Sequence, residues 1–152
     1  MQFRFAIFAI FLIAPAAHAF EAKISCYSAC LHNESNCDEY MEGKNATAYC
    51  GQTIYRPRDH TLHKCIMGET DIVVVAIQQK HTDWAGKELK ISNLPDNCHY
   101  FACDSYAHSE DAYGTKIDIS VEPDVRDTCD IHGSHVDVEV MGKVPKNAKT
   151  ED

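Results

Sequence analysis

Polar and apolar residues alternate with period two over residues 87–91 (KELKI), 116–122 (KIDISVE) and 135–140 (HVDVEV), the pattern of a strand with one wet and one buried face. Because successive side chains point to opposite faces, Ile117, Ile119 and Val121 share one side, as do Val136, Val138 and Val140, and these are the predicted core. Residues 71–78 differ, since Ile72-Val73-Val74-Val75-Ala76-Ile77 is a continuous β-branched run that predicts a strand buried on both faces, central to a sheet. A shorter strand is expected over residues 22–27. Residues 28–40 admit a helix, with Cys26 and Cys30 at i, i+4 or Cys30 and Cys37 at i, i+7 on one face as a stapled helix or turn. From residue 61 onward the pattern reads as strands. Turn signals at Asp83-Trp84-Ala85-Gly86, Asn93-Leu94-Pro95-Asp96-Asn97 and Glu122-Pro123-Asp124 separate them. The expected fold is mainly β, a compact antiparallel sheet or sandwich behind a short helical or irregular N-terminal segment rich in cysteine.

The N-terminus belongs to a different pattern. Met1-Gln2-Phe3-Arg4 carries one positive charge, an apolar run follows to Ile13, Pro15 interrupts it, and Ala17-His18-Ala19 forms a small-x-small cleavage motif. Residues 1–19 are therefore expected to be a secretory signal peptide, and the mature chain to begin at Phe20. The run is too short and too interrupted for a membrane anchor, which needs roughly 20 apolar residues. Residues 20–142 form one expected domain, and the polar residues 143–152 a disordered tail.

An exported chain changes how cysteines are read. All eight, Cys26, Cys30, Cys37, Cys50, Cys65, Cys98, Cys103 and Cys129, follow the cleavage motif, and an even number outside the cytosol implies disulfides. Their connectivity is open, with on the order of 100 pairings available. Cys98-His99-Tyr100-Phe101-Ala102-Cys103 either closes as a local loop that displays its aromatics, or each cysteine bridges to the first third of the chain while Tyr100 or Phe101 fills the core. The second arrangement is preferred. Sequons at Asn33-Glu34-Ser35 and Asn45-Ala46-Thr47 make Asn33 and Asn45 candidate glycosylation sites.

Net charge narrows the partners. The chain carries −9, and loss of Arg4 with the leader takes it to about −10, so neither nucleic acid nor an anionic membrane is an expected partner. His60 and His63, and likewise His132 and His135, stand at i, i+3, but a zinc site needs three or four ligands and the cysteines are expected to be oxidised. Glu69, Asp71, His81, Asp83, His99, Asp104 and His108 supply acids and bases, and Arg56, Arg58 and Arg126 are the only arginines after the leader. No G-x-S-x-G elbow or H-E-x-x-H helix sets a nucleophile or metal beside them. The expectation is no enzyme activity, no catalytic residue, no metal and no cofactor. Trp84, Tyr100 and Phe101 are the candidate binding residues, since aromatics dominate binding hot spots.

A leader of this kind, eight cysteines after it, a strand-rich pattern and the absence of a catalytic motif resemble the small cysteine-rich secreted effectors of plant-associated fungi. The resemblance is to a class and transfers no residue. It implies action outside the producing cell, binding a host protein or protecting the producer, without a cofactor; the leading expectation is a virulence effector whose partner is a host protein, including an extracellular enzyme. Two other functions are compatible with the residues. One is an inhibitor of an extracellular host protease presenting a constrained loop, residues 51–65 or 98–103; the other is a small secreted hydrolase or ribonuclease.

Overall fold

The computed structural model describes residues 19–28, 50, 57–78, 80, 81, 83–106 and 114–142. Six strands, β1 (Ala19–Tyr27), β2 (Ile72–Gln78), β3 (Glu88–Ile91), β4 (His99–Tyr106), β5 (Lys116–Ser120) and β6 (His135–Val140), close into a barrel in the order β1-β5-β2-β4-β3-β6. One α-helical turn, α1 (Leu62–Ile66), precedes β2. The mainly β class follows from the alternation, but the sheet is neither purely antiparallel nor an open sandwich. β1 pairs with β5 and β2 with β4 in parallel, and the other four pairs are antiparallel. Among the six strands only β3 and β4 are neighbours both along the chain and in the barrel. Turn signals therefore mark where strands end, while pairing is set by long-range closure. Exchanging β1, β2 and β3 with β4, β5 and β6 maps this pattern of pairs onto itself, so the barrel consists of two halves of equivalent topology.

β2 is the central strand that its composition predicts. It lies between β5 and β4; Val73, Val75 and Ile77 point into the barrel, and Val74, Ala76 and Gln78 take the other face by alternation. Both faces are buried, which is why the run has no polar period. Ile24, Ile117, Ile119 and Val138 fill the interior from β1, β5 and β6, and each is fully buried. Each fully buried aliphatic side chain of this kind contributes about 1.5–3 kcal/mol of transfer free energy.

β4 is the strand that the periodicity misses. Residues 98–103 are not a loop: Tyr100 and Ala102 pack inward, Phe101 and Cys103 pack outward with Val74, and a strand buried on both faces shows no alternation. Between Val75 and Ala76 the register with β4 shifts, so that Cys103 is the extra residue of a bulge and Asp104 falls opposite Ala76. Residues 61–66 also depart from the strand reading. Within Leu62–Ile66 only Leu62 and Cys65, at i, i+3, are buried, and the buried Thr61 caps a helical turn.

Among the described residues three disulfides link Cys26 to Cys129, Cys50 to Cys103 and Cys65 to Cys98. Cys98 and Cys103 thus bridge back to the cysteine-rich segment 20–65 and not to each other, with Tyr100 in the main core and Phe101 on the opposite face of β4. Cys30, Cys37, Asn33, Asn45, Arg56 and His108 lie outside the described residues, as do the expected leader up to residue 18, the helix expected within residues 28–40 beyond Ser28, and the tail 143–152. Among the described residues no helix is long and apolar enough to cross a membrane.

Candidate interaction surface

Helix α1 has one turn, too few hydrogen bonds to persist alone, so its order comes from its ends and its anchors. At the start, Thr61 adopts an extended backbone and its hydroxyl accepts from the Lys64 N–H at 3.3 Å, the standard N-cap geometry. The same hydroxyl donates to Glu122 Oε1 at 2.5 Å, tying the cap to the segment after β5. At the end, the Gly68 N–H donates to Cys65 O and the Glu69 N–H to Lys64 O, each at 2.9 Å, with Gly68 at φ 77°. That is a Schellman closure, which requires a residue that tolerates the left-handed region. Leu62 and Cys65 point into the core, Cys65 is bonded to Cys98, and the Val74 N–H donates to His60 O at 2.9 Å.

The turn so fixed displays two large apolar side chains. Ile66 is 58% and Met67 62% exposed, and they are the large hydrophobic residues that stand open among the described residues. Neighbouring His63, Gly68 and Glu69 are exposed as well. Sequence reasoning passed over this pair. The available signal was two consecutive large apolar residues between a core-facing cysteine and a glycine, where no periodicity requires them.

The aromatics expected as anchors are packed instead. Trp84 is 8% exposed, with Phe20 stacked on it at a centroid distance of 4.2 Å and His81 at 3.7 Å. Tyr100 is 3% exposed and its hydroxyl donates to Pro95 O at 3.3 Å, while Phe101 is 6% exposed beside Val74 and Cys103. Packed in this way, these rings offer little surface to a partner.

The acids and bases singled out from the sequence are dispersed. Glu69, Asp71 and Asp83 are exposed in loops, His81 stacks on Trp84, and His99 on β4 pairs with Glu88 at 2.7 Å. Of the histidines at i, i+3, His60 Nδ1 contacts Thr70 Oγ1 at 3.1 Å and His63 is exposed. His132 Nδ1 accepts from the Cys26 N–H at 3.4 Å, whereas His135 pairs with Glu21 at 2.7 Å. Arg58 and Arg126 lie 3.8 and 3.4 Å from the adjacent Asp59 and Asp127. Among the described residues no three His, Cys, Asp or Glu side chains gather where they could hold a metal ion.

Asp104 belongs to a polar cluster laid across β1, β5, β2 and β4. Asp104, Ala76, Asp118 and Ser25 are opposite one another in successive strands, Ser25 donates to Asp118, and Tyr27 donates to Asp104 at 3.0 Å. Small Ala76 between the two carboxylates leaves room for the tyrosine to reach over β5 and β2. Desolvation, and then the neighbouring charge of Asp104, push the Tyr27 phenol well above its ordinary range. Gln78, two residues along β2, is 2% exposed and its amide has no hydrogen-bond partner among the described residues.

Two histidines are shifted the other way. Burial lowers His60, partly opposed by Asp59 and Asp71, and burial with Lys80 lowers His81, partly opposed by Asp83. Both are thereby held towards the neutral form. Compared with protein-family models, with curated proteins and with solved structures, the chain matches none.

Proposed function

We propose that the chain is exported after loss of residues 1–19 and acts outside the producing cell as a disulfide-stapled binding protein, a virulence effector that engages a host protein without catalysis or a cofactor. The observation that carries this reading is the display of Ile66 and Met67 on a turn capped at both ends and tethered by Cys65–Cys98. Holding two apolar side chains open in water is unfavourable, and doing so on a rigid turn lowers the ordering cost of docking. The disulfides and the filled barrel interior support export and an activity carried on the outside of the fold.

Among extracellular partners, a concave apolar site on a host protein fits better than the substrate cleft of a protease. Met67 has φ −77° and ψ −6°, a helical backbone, whereas a protease cleft binds its substrate extended. The test is capture from host extracellular fluid with the native protein and with an Ile66→Asp, Met67→Asp double variant, followed by titration of the identified partner in pure form. The reading requires a Kd weakened at least about tenfold, or about 1.4 kcal/mol, with an unchanged melting temperature. Equal binding by the double variant refutes the role of the turn, and turnover of RNA or glycan by pure protein refutes the non-enzymatic reading.

A further inference from the structure

The leader's cleavage motif and the first strand of the barrel overlap. Ala19 and Phe20, which flank the expected scissile bond, are both residues of β1, and they pair with Glu139 and Val138 of β6. The ladder continues through Glu21 with Asp137, Ala22 with Val136 and Lys23 with His135, while Lys23 to Tyr27 pair on the other edge with Lys116 to Ser120. The Phe20 ring lies on Trp84, and Ala22 and Ile24 are buried in the core. A peptidase that holds its substrate extended needs several residues on each side of the bond, and those on the C-terminal side are taken up by the barrel.

We propose that the Ala19–Phe20 bond is cleavable only before the barrel closes, so that removal of the leader must precede docking of β1. The proposal rests on the leader reading above and adds an order of events to it. Both partners of β1 come from the far end of the chain: Ser25 meets Asp118 93 residues later, and Glu21 meets His135 114 residues later. During synthesis at about 5–20 residues per second, β1 lacks both partners for roughly 5–20 s. The bond is an accessible extended segment in that interval. Afterwards cleavage has to wait for β1 to leave β6 and β5, and its rate scales with the small open fraction.

The test uses full-length chain bearing the leader, translated without membranes and divided into a reduced, unfolded sample and an oxidised, folded one. Both are treated with detergent-solubilised signal peptidase, and the products are identified by N-terminal sequencing. The reduced chain is expected to be cut between Ala19 and Phe20 about 100-fold or more faster than the folded chain. A second precursor carries six Gly and Ser residues inserted after Ala19, which moves the scissile bond out of β1; it is expected to be cut at similar rates folded and unfolded. Cleavage of the folded native precursor within a few-fold of the unfolded rate overturns the proposal, as does continued protection in the lengthened precursor. Failure to cut the reduced chain at Ala19 overturns the leader reading and the proposal together.

Discussion

Removing the Cys26–Cys129 bridge by the paired change Cys26→Ser, Cys129→Ser tests how the disulfides hold the barrel. The three described bridges are nested: Cys65–Cys98 lies inside Cys50–Cys103, and both lie inside Cys26–Cys129, with sequence separations of 33, 53 and 103. Taken alone, a loop of the longest span restricts the unfolded chain by about 4.7 kcal/mol at 25 °C. It does not act alone. With Cys50–Cys103 intact, the free path between Cys26 and Cys129 shrinks to about 50 residues, which lowers the expected contribution to about 4.1 kcal/mol. By the same reasoning Cys50–Cys103, with Cys65–Cys98 intact, closes only about 20 residues and contributes about 3.3 kcal/mol. The outermost bridge should therefore cost more to remove than the middle one by about 0.8 kcal/mol, roughly a factor of four in the unfolding equilibrium. Urea unfolding followed by Trp84 fluorescence reads this, since Trp84 is the only tryptophan and packs between Phe20 and His81. At a slope of about 2 kcal/mol per molar, the outer variant's midpoint should fall by about 2 M. A smaller loss for Cys26–Cys129 than for Cys50–Cys103 would refute the nested-loop account.

Two pH effects follow from the shifted groups. His60 and His81 have lowered pKa values in the fold, so the unfolded chain takes up their protons first; stability is full above about pH 6.5 and declines as the pH falls. His81→Phe, which keeps a ring on Trp84, should flatten the fall in melting temperature between pH 7 and 5.5, and an unchanged slope would remove His81 from the explanation. Tyr27 is raised, so its contribution is present below about pH 10 and is lost above it, as the unfolded phenol ionises first. Tyr27→Phe should cost about 1–3 kcal/mol at pH 7 and reduce the alkaline loss of stability between pH 9 and 11; equal alkaline slopes in both proteins would contradict that assignment.

The strands were legible wherever one face is dry and the other wet. Residues 116–120 and 135–140 alternate because Ile117, Ile119, Val136 and Val138 face the core while Asp118, His135 and Asp137 do not. β4 was hidden because it is covered on both sides and, unlike β2, carries no β-branched run to mark it, and α1 because a one-turn helix has too few residues to establish a period. The candidate surface was misplaced for a related reason. Aromatic content signals the capacity to bind, but whether a ring is displayed depends on what packs over it, and Trp84 is covered by Phe20 and His81.

By itself the sequence determined the alternating strand segments and the β-branched β2, with their inward faces, since Cβ direction alternates along an extended backbone whatever its neighbours are. Compartment and cross-linking were likewise expected from the leader motif and the even set of cysteines, and three bridges are present among the described residues. Only the tertiary structure decided that the sheet closes, that β1 and β5 and β2 and β4 run parallel, and that Cys98 and Cys103 reach to Cys65 and Cys50. Those choices depend on contacts between residues far apart in the chain, where loop closure and core packing outweigh local preference. The exposure of Ile66 and Met67 is one of their results.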